Sequence, residues 1–279
     1  MFISPWLREI VEFALKEDIG MGDITSESVI SPNEEGTAEI IVREEGVIAG
    51  LEIAKEAFKV VDDKLEYKPK INDGERVKKG DVIVKISGNM SAIMLGERTA
   101  LNFLQHLSGI ATLTSQWVSL IKEYPAQLVD TRKTTPGLRQ LEKYAVVAGG
   151  GRNHRLGLHG GVLIKENHIK VVGGIKEAVL KVKKDAPITL RIEVEVTTLE
   201  ELEEALEAGA DLVMLDNMDE HLMKKAVEFN RGRAYLEASG NITQGRLQAV
   251  AATGVDYISS GALTHSSTSL DLSMLVKDE

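Results

Sequence analysis

Two glutamates two residues apart, Glu193 and Glu195, are the first sign of chemistry in this chain. In an extended segment that spacing puts both carboxylates on one face, with Val194 and Val196 on the other. Spacing alone does not say which face is the inner one. A carboxylate withdrawn from water needs a partner, and Asp216 offers a third acid. Cations elsewhere in the chain would neutralise such a set as a buried ion-pair network. Alternatively the set holds a divalent cation, since carboxylate and water oxygens suit Mg2+ or Mn2+, above all when a substrate phosphate adds ligands.

Cations gather in one stretch. Between Asp130 and His168 there are seven basic residues (Arg132, Lys133, Arg139, Lys143, Arg152, Arg155, Lys165) against three acids (Asp130, Glu142, Glu166), a local balance of +4. The whole chain carries −10, so the remainder carries −14. A solvated face paired to nearby acids would account for an ordinary run of charge. Here glycines interleave the cations, with His154, His159 and His168 among them, and a binding place for a compact polyanion is the better account. Two later turns, Ser239-Gly240-Asn241 and Ser260-Gly261-Ala262, each precede a helical segment. Glycine allows close backbone approach, and a following helix start offers N–H donors, so the pair reads as phosphate-binding.

The elements that must position these residues alternate. Strand candidates fall at residues 127–130, 162–164, 189–194, 211–215, 234–237 and 255–258, with helical segments between most of them. Thr198-Leu-Glu-Glu201 is a capping box ahead of a helix with Leu202, Ala205 and Leu206 on one face. Repeated βα units imply a parallel sheet closed or nearly closed into a barrel, whose chemistry gathers where strands end. The candidates end in turn at Asp130-Thr131-Arg132-Lys133, Lys165 to His168, Glu193 and Glu195, Asp216-Asn217, Glu237 to Asn241, and Ser259 to Gly261. Every strand thus delivers charge or a Ser/Gly turn to one pole.

The first third follows another rhythm. Ser4-Pro5 reads as a helix start, with Trp6, Ile10, Phe13 and Ala14 on one face, and Asp18 to Asp23 as a glycine-rich turn. Ala38, Ile40 and Val42, then Val82, Val84 and Ile86, alternate as strands do. Residues 71–84 are similar to the hairpins of biotinyl and lipoyl carriers, but no exposed lysine beside a methionine marks a carrier tip. A small β-rich layer ending near Gly96 is expected, then a helical region from Glu97 to Lys122 interrupted at Ser108-Gly109.

Composition bounds the rest. The 279 residues have 43% apolar and 27% charged content, enough for one large domain or two ordinary ones with substantial cores. An acidic chain is a poor general binder of nucleic acid or membranes. The absence of cysteine excludes disulfides, Cys-ligated zinc, iron–sulfur clusters and a thiol nucleophile. No apolar run is long enough to span a bilayer, and Met1 to Glu12 lacks the order of a signal peptide, so a cytoplasmic protein is expected. The lack of cysteine and the Glu/Lys-rich helices lean toward heat stability.

Several blocks then combine. Asp130-Thr-Arg-Lys-Thr-Thr-Pro-Gly-Leu-Arg139, Gly149-Gly-Gly-Arg-Asn-His-Arg155-Leu-Gly-Leu158 and Leu163-Ile-Lys-Glu-Asn-His168 resemble the quinolinate phosphoribosyltransferases. So do Asp18 to Thr25, Gly96 to Asn102, Glu193-Val-Glu195, Leu215-Asp-Asn217, Glu237 to Asn241 and Ser260 to Thr264. The likeness spans nearly the whole chain in order. His159-Gly160 departs from it, where the family commonly has an acid.

The resemblance implies an α/β fold: an N-terminal α/β sandwich domain over residues 1–100 and an incomplete C-terminal α/β (TIM-like) barrel over 101–267, with 268–279 returning to the first domain. It implies a homodimer or higher assembly. It implies transfer of the phosphoribosyl group of 5-phosphoribosyl 1-pyrophosphate to quinolinate with decarboxylation, Mg2+ as cofactor, and neither nucleic acid nor membrane as partner. The family's site carries over to Arg132, Arg155 and His154 for quinolinate, with Lys133 and Lys165 nearby and Arg98 supplied by the partner subunit. Thr131, Ser239, Gly240, Asn241, Ser260, Gly261 and Ala262 fall to the phosphoribosyl donor. Lys133, Glu195 and Asp216 take the catalytic places, the two acids also holding the metal, mainly through pyrophosphate and water. Guanidinium forks suit a dicarboxylate in a way ammonium groups do not. Related transferases acting on nicotinate, including molybdenum-associated paralogues, are the nearest alternative. A sugar-phosphate barrel using Lys165 as a Schiff base and a binding module built on the hairpin are further ones.

Overall fold

The computed structural model describes residues 5–277; the expected helix cap at Ser4 lies outside them, as do the last two residues of the expected returning segment. Two compact units emerge. One comprises residues 1–115, 136–150 and 267–279, the other residues 116–135 and 151–266. The expected domain boundary after residue 100 falls inside a single helix, Met90–Leu120.

The first unit is an antiparallel sheet with helices. In chain order it contains α1 (Pro5–Ile19), α2 (Ile24–Val29), β1 (Glu35–Val42), β2 (Gly46–Val47), α3 (Leu51–Val61), β3 (Glu66–Pro69), β4 (Arg76–Val77), β5 (Val82–Asn89) and most of α4 (Met90–Leu120). The glycine-rich turn closes α1, and Asp23 caps α2 by accepting from the N–H groups of Thr25 and Ser26 at 3.1 Å. Alternation makes β1 and β5 one-sided: Ala38, Ile40, Val42, Val84 and Ile86 are fully buried. A late strand, β12 (Leu272–Val276), adds to β1, giving the order β12-β1-β5-β3.

Helix α4 runs unbroken through Ser108-Gly109, where the sequence predicts an interruption. Tertiary contacts explain the residues there. The Ser108 hydroxyl accepts from the Ala49 N–H at 3.0 Å. At Gly109 a Cβ would stand 2.1 Å from the carbonyl oxygen of Thr268, so glycine lets the returning chain lie directly on the helix. Helix α5 (Arg139–Ala148) also belongs to this unit. Its Glu142, fully buried, lies 2.9 Å from His106, and its Tyr144 hydroxyl donates to Asp73 at 2.6 Å.

The second unit is a parallel sheet of six strands: β6 (Gln127–Val129), β7 (Val162–Ile164), β8 (Ile192–Val196), β9 (Leu212–Asp216), β10 (Tyr235–Ser239) and β11 (Tyr257–Ser259). Between them run α6 (Glu166–Val172), α7 (Ile175–Asp185), α8 (Leu199–Glu207), α9 (Glu220–Asn230) and α10 (Leu247–Ala251), and α11 (Ala262–His265) follows β11. The order β6-β11-β10-β9-β8-β7 brings the last strand back to the first. Only the seam between β6 and β7 is left unpaired, which makes the sheet an incomplete barrel. One residue lies along the open edge of β6. Arg152 bridges Val129 in parallel, its N–H donating to Leu128 at 2.9 Å and its carbonyl accepting from the Asp130 N–H at 3.1 Å. Among the described residues no helix is long and apolar enough to cross a membrane.

Candidate active site

Parallel pairing sends every strand of the second unit to the same pole, and the register levels the strand ends. Ser239 pairs with Asp216, Ser259 with Val129, and Glu195 with Met214 two residues below Asp216. The expected acids, cations and Ser/Gly turns of the barrel therefore meet at one mouth. Arg98 sits on α4 of the first unit, exposed to solvent. The basic stretch divides likewise: Arg139 and Lys143 are on α5, with Lys143 only 1% exposed, while Arg132, Lys133, Arg152, Arg155 and Lys165 are on the barrel.

Strand β8 shows which way the glutamates face. Val194 and Val196 are fully buried on the helix side, and Glu193 and Glu195 point into the lumen. Glu195 Oε2 lies 2.5 Å from the ammonium of Lys165, the residue that follows β7. Glu193, 4% exposed, meets Glu237 of β10, 1% exposed, around the imidazole of His154. Residues from alternate strands share an interior layer in such barrels. Burial, then the charge of Glu193, pushes the Glu237 carboxyl up to about 8. Burial and the neighbouring Arg132 lower the pKa of Arg155, and Glu193 opposes them. A cavity of about 220 Å³ reaches this layer, lined by Arg152, His154, Arg155, Arg191, Glu193 and Glu237 among others.

The late loops form a second cluster. Asn217, Gly240 and Asn241 all have left-handed backbones, with φ of 55°, 85° and 50°. Asparagine is one of the few side-chain-bearing types that adopts that conformation readily. The Asn217 amide donates to Asp216 Oδ2 at 2.8 Å, and Asn241 donates to Asn217 Oδ1 at 2.9 Å. A Cβ at Gly240 would stand 2.3 Å from that same Oδ1. Asn217 thus orients Asp216 and ties β9 to the β10 loop. The sequence placed Asn217 at the end of this strand beside Asp216 without giving it a role, although an Asn directly after a strand-end acid is a visible signal.

Gly261 plays the matching part beside β6. Its Cα packs against the stem of Lys133, where a Cβ would be 2.8 Å from Cδ. Thr264 Oγ1 donates to the Lys133 carbonyl at 2.7 Å, and Thr131 Oγ1 accepts from the Lys133 N–H at 3.0 Å. Ser260 is buried, its hydroxyl 3.4 Å from the Ile242 carbonyl and 3.3 Å from the Ala262 N–H. The helices after the two Ser/Gly turns are short, five residues in α10 and four in α11. The ring of His159 packs over Gly157, where a Cβ would meet it at 2.9 Å.

Comparison with known proteins gives a consistent result. Residues 23–108 match the model of the quinolinate phosphoribosyl transferase N-terminal domain, and residues 110–275 that of the C-terminal domain. A probable carboxylating nicotinate-nucleotide pyrophosphorylase of Bacillus subtilis (strain 168) is 45% identical over 268 residues, covering 96% of this chain and 92% of the relative. The structure of the nicotinate-nucleotide pyrophosphorylase from Francisella tularensis superposes with a TM-score of 0.93 at 44% identity, over 98% of this chain and 96% of that one. NadC from Streptococcus pyogenes superposes with a TM-score of 0.95 at 37% identity over the full length of both chains.

Proposed function

The chain belongs to the quinolinate phosphoribosyltransferase family, and on that premise we propose how its own residues join quinolinate to 5-phosphoribosyl 1-pyrophosphate, giving nicotinate mononucleotide, pyrophosphate and carbon dioxide on the route to NAD. The observation that carries the reading is the meeting of Arg132, Lys133, Arg155 and Lys165 with Glu195 and Asp216 at one barrel mouth.

Arg132 and Arg155 grip the two carboxylates of quinolinate, since planar forks match them in bidentate fashion. Their mutual repulsion in a half-buried place is relieved by a dianion. Lys165 gives up part of its hold on Glu195 to the same substrate. The turns at Ser239-Gly240-Asn241 and Ser260-Gly261-Ala262, with Thr131, take the phosphate groups of the donor. Lys133, braced by Gly261 and Thr264, meets the departing pyrophosphate and offsets its growing charge.

As the ribose C1–O bond breaks, C1 gains cationic character, which Glu195 and Asp216 stabilise while they fix the ribose hydroxyls. The pyridine nitrogen attacks C1. The positive ring then accepts the electron pair released when the carboxylate beside nitrogen leaves as carbon dioxide. No protein nucleophile is required.

Both acids present oxygen donors at the mouth, which suits a hard cation. Each already has one partner, Lys165 or Asn217, and together they would hold a Mg2+ ion mainly through pyrophosphate and water. Such an ion would supply charge neutralisation on the leaving group. Arg98 reaches the site of a second copy of the chain. The assembly is supported by large apolar residues exposed between residues 6 and 29: Trp6, Phe13, Met21, Ile24 and Val29.

The test is nicotinate mononucleotide formation from quinolinate labelled in the carboxyl beside nitrogen, with the phosphoribosyl donor and magnesium. Labelled carbon dioxide is released in step with product. Turnover of nicotinate in place of quinolinate would overturn the assignment.

A further inference from the structure

His154 does not turn its ring toward the mouth. Its Nδ1 accepts from the backbone N–H of Arg155 at 2.7 Å. Its Nε2 lies 2.9 Å from Glu193 and 3.4 Å from Glu237, both deep in the barrel. Its own N–H donates to the fully buried Asp130 at 2.9 Å. An Nδ1 that accepts a hydrogen bond leaves the ring proton on Nε2. Nδ1 is thus hydrogen-bonded, while the buried Nε2 makes no hydrogen bond and stands within ion-pair distance of the two carboxyls; the residue that follows is one of the two arginines assigned to the substrate dicarboxylate.

The two glutamates come from β8 and β10 and lie below Glu195 and Ser239. Carboxyl groups are rarely kept in a barrel interior without a polar partner. Neither has a part in the proposed transfer, and both face the histidine.

We propose that Glu193 and Glu237 are positioning residues. They stand within ion-pair distance of His154 Nε2 from inside the barrel and favour a proton there, which is the tautomer that leaves Nδ1 as the acceptor. The hydrogen bond from the Arg155 N–H to Nδ1 then sets the backbone from which Arg155 reaches the substrate, while the charge of Glu193 draws on the same guanidinium. This role rests on the proposed function for its substrate, but its first observable does not.

Long-range proton–nitrogen NMR of the histidine-labelled wild-type protein reads the tautomer directly. A protonated Nε2 with an unprotonated Nδ1 at His154 near neutral pH is expected. An Nδ1–H tautomer, a doubly protonated ring, or an Nε2 stripped of its proton as a metal ligand would be, overturns the proposal whatever the enzyme's substrate. The Glu193→Gln/Glu237→Gln variant supplies the second readout. Its KM for quinolinate should rise by about tenfold or more, as misplaced binding groups cost that much or beyond, with the KM for the phosphoribosyl donor nearly unchanged. Equal loss toward both substrates, or none, would sink the role. Should that variant fail to fold, the tautomer alone decides.

Discussion

A lysine just after β7 and a glutamate on the neighbouring β8, Lys165 and Glu195, stand 2.5 Å apart at the mouth, and Lys133 is braced a few residues after β6. Charges held so firmly act on the transition state without first rearranging. Lys133→Ala, Arg155→Ala and Glu195→Ala should each lose about 2–4 kcal/mol of transition-state binding, roughly 30- to 1000-fold in kcat/KM, with unchanged circular dichroism. Normal turnover in all three would remove the assignment. Glu237 makes a separate claim on pH. Its carboxyl keeps a proton up to about 8 in the folded chain, against 4.5 for an ordinary glutamate. Between those values the folded state binds more protons than the unfolded one, so this group's contribution to stability is full below the lower value and lost as pH rises through the upper. The Tm of wild type relative to Glu237→Gln should therefore fall as pH goes from about 5 to about 9; a constant difference would mean Glu237 is not protonated when folded. The residue types of this site were legible because charge at strand ends is uncommon. The inward turn of Glu193 and the hold on His154 were not, because period two fixes a shared face without saying which face is interior.

Elements were read well where alternation was strong and poorly where tertiary contact decides. Strand β7 falls where the sequence placed it, at residues 162–164, and β9 to β11 are displaced by only one or two residues. Strand β8 begins at Ile192, three residues later than its candidate, because pairing with β9 sets its register and Glu193 lies opposite Leu212. The Ser-Gly pair in α4 looks like a break when only local preference is weighed. It is a docking surface: Leu270 donates to the Gln105 carbonyl at 2.9 Å, and the Gln105 amide donates to Leu272 at 2.8 Å. Gly109→Ala must then push the 268–269 backbone off the helix, at a cost of about 1–3 kcal/mol or more. A scanning calorimeter should show a lower Tm than for Gly245→Ala, where an added Cβ meets nothing within 4 Å. Equal melting would mean the returning segment bears little on stability.

The whole molecule divides its labour between units, with Arg98 on the first and the remaining assigned residues on the barrel. Sequence could name the α/β class because alternating and repeated patterns survive any arrangement of the parts. It could not assign α5 to a unit, since that depends on burying Glu142 and on the bond from Tyr144 to Asp73, two contacts made at a distance along the chain. In an assembly that shares Arg98, an Arg98→Ala subunit and a Glu195→Ala subunit are each inactive alone, yet mixing them restores one sound site per pair. Co-expression with separable tags measures this, and no recovery would place every working group within a single chain.

The barrel has a missing stave between β6 and β7, and on the β6 side Arg152 adds a single bridge to the open edge. An open hoop is loosest at its free ends. The loop of residues 153–161, which carries His154 and Arg155, runs from that single bridge to β7, so this lip of the cup has fewer backbone ties than the wall from β8 to β11. Deuterium should accordingly enter the amides of Asp130 and Arg152 ahead of those of Val213 and Leu236, which are held between strands.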